Sequence, residues 1–92
     1  MNNRRFTRFD CDLSGILQSK HGSFQCHVSN ISAGGVAVSH DHLVKLSKGE
    51  RLGLSLADLG THRVEVMWTG SGQFGARFVK AIDEQVIRKL LA

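Results

Sequence analysis

From Phe9 onward the chain alternates apolar and polar residues with a period of two, in six short bursts. Phe9, Cys11, Leu13 and Leu17 share one phase, while Asp10, Asp12 and Ser14 take the other. Phe24, Cys26 and Val28 alternate with Gln25, His27 and Ser29, and Val36 and Val38 repeat the pattern. Leu52, Leu54 and Leu56 form a fourth burst, Val64, Val66 and Trp68 a fifth, and Phe74, Ala76 and Phe78 a sixth. Successive side chains of an extended strand point to opposite faces, so each burst reads as a strand with one buried face. Gly, Ser, Asn, Asp or His bounds each of them, as expected where strands turn. No helical pattern intervenes, which argues for antiparallel hairpins over parallel βαβ units. Six such strands in 92 residues most economically close into a small barrel, which leaves few edges unpaired.

The last stretch, "IDEQVIRKLLA", changes period. Ile82, Val86 and Leu90 recur at i, i+4 and i+8, with Ile87 and Leu91 beside them, which predicts a helix over about 83–91 with that stripe on the barrel. Asp83 is placed to cap it, with Glu84 in its first turn and Arg88 and Lys89 near its end, in keeping with the helix dipole. Glu84 and Arg88 suit an i,i+4 pair. The expected fold is therefore all-β with a terminal helix: a six-stranded antiparallel barrel plus a C-terminal α-helix. Residues 1–9 read as a flexible arm and residues 10–92 as a single domain.

The net charge of +4 and pI near 9.6 favour an acidic partner. No apolar run approaches the ~20 residues needed to cross a bilayer, so no membrane insertion is expected. The N-terminal charge is followed by no apolar h-region, which argues against a signal peptide and for a cytoplasmic protein. Cys11 and Cys26 are too few for a disulfide scaffold and read as reduced, half-buried thiols.

Catalytic patterns fail on their context. "GSGQFG" matches G-x-G-x-x-G at Gly70, Gly72 and Gly75, but a dinucleotide fold needs a helix to open there. Instead "ARFV" continues an alternating strand, so these glycines read as a hairpin turn. His40 and His42 flank Asp41, yet no third or fourth ligand stands at zinc spacing. Ser32 lies in "NISAGG" rather than G-x-S-x-G, and no close carboxylate pair appears on an apolar background. Neither enzymatic activity nor a metal or cofactor is expected.

Two polar segments remain. "RRFTR" sets Arg4, Arg5 and Arg8 around Phe6 before the first strand, and each guanidinium carries five donors in a planar fork that stays charged. In "NISAGG", Asn30 and Ser32 fall on the same side of an extended segment. Gly34 and Gly35 permit positive φ and close backbone approach. Taken alone, the first reads as a solvated tail and the second as an ordinary turn. Together, R-x-x-x-R (Arg4, Arg8) followed by N-x-S-x-x-G (Asn30, Ser32, Gly35) resembles the PilZ domain, whose pattern is RxxxR and then [D/N]xSxxG. "NISAGGVAV" is similar to that family's motif and following strand, and "VMWTGSGQFGARF" to its late hairpin.

The resemblance covers almost the whole chain and implies a six-stranded barrel with a terminal helix that binds cyclic di-GMP. It implies ligand contacts from Arg4, Arg8, Asn30, Ser32 and Gly35, with Asn30 an accepted alternative to Asp. It also implies relay to a downstream protein partner. Arg5 is placed to add a phosphate or guanine contact. Trp68 shares the core phase of Val64 and Val66, but beside the glycine turn its indole face could stack on guanine or on an arginine. An Arg fork suits a phosphate, or guanine O6 and N7. Two other classes stay open: a PilZ-like adaptor that acts only through protein contacts, and a small basic barrel binding single-stranded nucleic acid. Against the latter, most aromatic residues sit on the apolar phases.

Overall fold

The computed structural model describes residues 6–40 and 45–92. Six strands, β1 (Phe9–Ser19), β2 (Gly22–Ile31), β3 (Gly35–His40), β4 (Arg51–Leu56), β5 (Gly60–Gly70) and β6 (Gln73–Phe78), precede the helix α1 (Glu84–Leu91). All pair antiparallel, and the sheet closes in the order β1-β2-β3-β6-β5-β4. The barrel and terminal helix expected from the alternation are both present. β1 begins at Phe9, one residue inside the segment read as an arm.

The apolar phases converge as the period demands. Leu17, Val28, Ile31, Val38, Leu54, Val64 and Phe74 are fully or almost fully buried and form the middle of one continuous core. "GSGQFG" is the β5–β6 hairpin: Ser71 and Gly72 separate the strands, and Gly72 takes φ +71°, a conformation open to glycine at little cost. Cys11 and Cys26 are free thiols. Burial pushes the Cys26 thiol up to about 11. Burial, aided by Asp10 and Asp12, raises that of Cys11. Both therefore stay protonated and unreactive near neutral pH.

Two expectations change. Alternation put Trp68 inside with Val64 and Val66, but Trp68 is 48% exposed. The cause is a bulge: Val66 faces Ala76 and Trp68 faces Gly75, so Met67 is an extra residue on β5. One inserted residue reverses the phase beyond it, and the indole lies on the outer wall.

The second change concerns the helix. Asp83 caps it with extended backbone (φ −66°, ψ 127°), its Oδ1 accepting from the Gln85 N–H at 2.9 Å. The Arg88 Nε donates to Glu84 Oε2 at 3.0 Å. The buried face, however, runs through Ile87 and Leu91, while Val86 is exposed. Ile82 precedes the cap, so counting helical steps from it places the stripe one residue out. Ile82 itself is buried, and its N–H donates to the Ala33 carbonyl at 2.9 Å. Arg88 also lies over the Phe9 ring, 5.1 Å from its centroid, tying α1 to the start of β1.

Candidate functional site

Two bulges line up on the outer wall where β2, β3, β6 and β5 run side by side. On β2, Val28 faces Val38 and Asn30 faces Ala37, which makes Ser29 the extra residue. On β5 the extra residue is Met67. Between them Ala37 faces Gly75 across β3 and β6. Bulges bend a strand and increase its twist, so the wall hollows here. The outward positions in the hollow are Gly35, Ala37 and Gly75, which leave the floor almost without side chains. The result is an open cleft of about 360 Å³.

The walls come from longer residues. Trp68 covers Gly75 closely: a Cβ on Gly75 would overlap the indole Nε1 and come within 2.7 Å of Cδ1. Phe6 leans over Gly34, where a Cβ would meet its Cδ2 at 2.5 Å. Arg8 and Arg77 also line the cleft, together with Met67. Among the described lining residues none is acidic. Two guanidinium groups and two aromatic rings thus face a floor of small residues, an arrangement suited to a flat, anionic ligand.

The N-x-S-x-x-G segment is more structural than its sequence implied. Arg8 Nη1 donates to Asn30 Oδ1 at 3.1 Å, so the two motifs do meet. Ser32 is buried, only 4% exposed. Its hydroxyl oxygen accepts from the N–H groups of Gly34 at 3.2 Å and Gly35 at 3.1 Å, and its own N–H donates to the Gly35 carbonyl at 2.8 Å. A hydroxyl used this way makes a local turn.

Nor do Gly34 and Gly35 take positive φ. Gly35 is needed because a Cβ there would lie 2.5 Å from the Ala76 carbonyl oxygen, where β3 approaches β6. The turn is further held by the Phe78 N–H on the Gly34 carbonyl at 2.8 Å.

Arg8, Ser32, Gly35 and Trp68 therefore line one cleft, and Asn30 joins it through Arg8. Arg4 and Arg5 lie outside the described residues, as do Asp41 and His42. Sequence reasoning missed Phe6, Ala37, Met67, Gly75 and Arg77 as parts of the site. The available signal was the outward phase of Gly75 and Arg77 on β6. Arg77 is held by Glu65, Nη2 to Oε1 at 2.5 Å. Among the described residues no group of three or more His, Cys, Asp or Glu could hold a metal, and no helix is long and apolar enough to cross a membrane.

The chain is thus a closed antiparallel barrel with a terminal helix and a cationic cleft on the outer wall of the barrel. The sequence profile of the PilZ domain matches residues 2–92, and the chain belongs to the PilZ domain family. PilZ domains are cyclic di-GMP receptor and adaptor domains rather than enzymes.

Among solved structures, the chain is similar to the Bacillus subtilis inhibitor of motility MotI/DgrA, at 22% identity and a TM-score of 0.76. That likeness covers 98% of this chain and 52% of the other, so the chain spans about half the neighbour's length. It is also similar to the PilZ domain of CeSA from a cellulose-synthesizing bacterium, at 18% identity and a TM-score of 0.69, covering 92% and 94% of the two chains. At such identities the likeness is one of fold. No curated protein matches the chain.

Proposed function

We propose that this chain is a receptor for cyclic di-GMP that acts by binding, not by catalysis, and passes the signal to a protein partner. One observation carries the reading: Arg8 and Arg77 stand with the Trp68 indole around a floor of Gly35, Ala37 and Gly75. Cyclic di-GMP offers flat guanines for an indole or a guanidinium to stack on, and phosphates for Arg forks to hold. Arg4 and Arg5 precede Arg8 in the same segment, and four residues of extended chain reach ~13 Å. They can thus meet a different part of the same dinucleotide.

Signal relay would begin at Arg8. If it leaves Asn30 for the ligand, the segment 6–9 moves with it. Phe9 in that segment lies under Arg88 of α1, and the turn after Asn30 is bonded to Ile82 just before α1. Helix α1 is therefore the element placed to report occupancy to a partner.

The test is calorimetric titration of the wild type and Arg8→Ala with cyclic di-GMP, cyclic di-AMP and single-stranded RNA. Selective binding of cyclic di-GMP that Arg8→Ala weakens supports the reading. Preference for RNA would make the cleft a nucleic-acid surface. Binding of none of the three would leave an adaptor working through protein contacts alone.

A further inference from the structure

We infer that Glu65 is a built-in competitor for the ligand's phosphate at Arg77, and that Arg51 sets the strength of this competition. The inference rests on the cyclic di-GMP reading of the cleft and deepens it. It comes from one transverse row on the outer wall. Arg51 faces Glu65 across β4 and β5, Glu65 faces Arg77 across β5 and β6, and Arg77 faces Gly35 across β6 and β3. One carboxylate therefore has an arginine on each side, and the far arginine borders the cleft.

Glu65 is committed to Arg77, with Oε1 on Nη2 at 2.5 Å. That contact engages part of the guanidinium fork. An incoming phosphate that takes the fork bidentately must displace the carboxylate or sit against its negative charge. The displaced carboxylate has somewhere to go. Directly opposed residues on neighbouring strands have Cβ atoms about 5 Å apart, within reach of an ion pair. Among the described residues Arg51 makes no ion pair of its own. Ligand entry would thus hand Glu65 from Arg77 to Arg51, and the strand β4, away from the cleft, would register the event.

This arrangement makes an unusual demand on mutants. Removing an acidic residue beside a basic cleft raises anion affinity in any case. Here, removing a distant arginine must lower it, and only while Glu65 is present.

The experiment is calorimetry with cyclic di-GMP on the full chain as wild type, Glu65→Gln, Arg51→Gln, Arg77→Gln and the Arg51→Gln/Glu65→Gln pair. Thermal melts of each variant establish the folded fraction. Exposed ion pairs of this kind shift equilibria by a factor of about 2 to 5. Glu65→Gln should tighten binding by that factor, and Arg51→Gln should weaken it by about 2-fold. In the Glu65→Gln background Arg51→Gln should have no effect, and Arg77→Gln should weaken binding outright.

An Arg51 effect of equal size in both backgrounds would show only its long-range charge and would overturn the inference. So would unchanged or weaker binding by Glu65→Gln. Either result, obtained while the wild type binds and Arg8→Ala binds more weakly, leaves the cyclic di-GMP reading standing. A wild type that does not bind cyclic di-GMP removes that reading and the competition with it.

Discussion

Two of the hollows on the outer wall differ sharply, and the larger of the two is the less equipped. The groove across β1 and β4 measures about 550 Å³ against 360 Å³ for the cleft across β3 and β6. It is lined by Ser14, Ile16, Gln25, Ser55 and Thr61 among others, with no charged side chain. Its two facing hydroxyls, those of Ser55 and Thr61, bond each other at 2.7 Å. Its glycine also works differently. A Cβ on Gly15 would lie 2.8 Å from Leu56 Cδ2 and 2.9 Å from the Ser55 carbonyl oxygen, so Gly15 lets the barrel close. Gly75 instead makes room for an indole on the outside. Charge and aromatic surface converge in the cleft and not in the larger groove.

The strongest test of this contrast is on the glycines. Gly15→Ala and Gly35→Ala each force a Cβ against backbone carbonyl oxygen, and overpacking of this kind costs about 1–3 kcal/mol. Melting temperatures should fall by roughly 4–8 °C per kcal/mol in a domain of this size. Gly15→Ala should bind cyclic di-GMP normally once the folded fraction is counted. A Gly35→Ala protein that melts like the wild type but binds poorly would return that glycine to the ligand.

Next come the arginines. Arg8→Ala and Arg4→Ala should each weaken cyclic di-GMP binding by at least ~10-fold, about 1.4 kcal/mol. For Arg8 the melting temperature should hardly move, since the side chain is exposed. Unchanged affinity in both would reduce the cleft to the status of the other groove. Trp68→Leu is expected to lose about 1 kcal/mol of ligand binding through lost stacking, and ligand should quench this single tryptophan in the wild type. A silent fluorescence titration at saturation would place the ligand elsewhere. The smallest effect belongs to the other groove. Ile16→Ser should shift stability by no more than about 0.5 kcal/mol and leave affinity untouched. A clear loss of binding there would reverse the ranking of the two hollows.

The strands could be read before the structure because burial on one face writes itself as a period of two. The bulges could not. Val64, Val66 and Trp68 keep perfect alternation through the very point where Met67 is inserted, and only the partner strand reveals the extra residue. The buried helix face was misplaced for a related reason: Ile82 is apolar and at the right spacing, but it lies before the cap.

At the site, Arg8 and Asn30 were legible as polar residues without a core role. Ser32 looked the same and proved to hold the turn. Arg77 escaped notice because a lone arginine on an outward phase resembles any surface charge. Its place beside Gly35 depends on β3 pairing with β6, a contact between segments far apart in the chain.

That long-range seam has a kinetic consequence. β2–β3 and β5–β6 are hairpins, each able to form from neighbouring residues, whereas β3 and β6 must find each other across the intervening chain. Pairings of that kind form slowly and late. The cleft straddles the seam, with Arg8 and Asn30 on one hairpin's side and Trp68 and Arg77 on the other's. Whatever binds there acts as a rivet between two locally folded pieces. At a hundredfold excess over its Kd, a ligand that recognises only the native state adds about 2.7 kcal/mol to stability. In this barrel that gain falls on the joint where the two hairpins would part, so resistance to proteolysis becomes a direct gauge of occupancy.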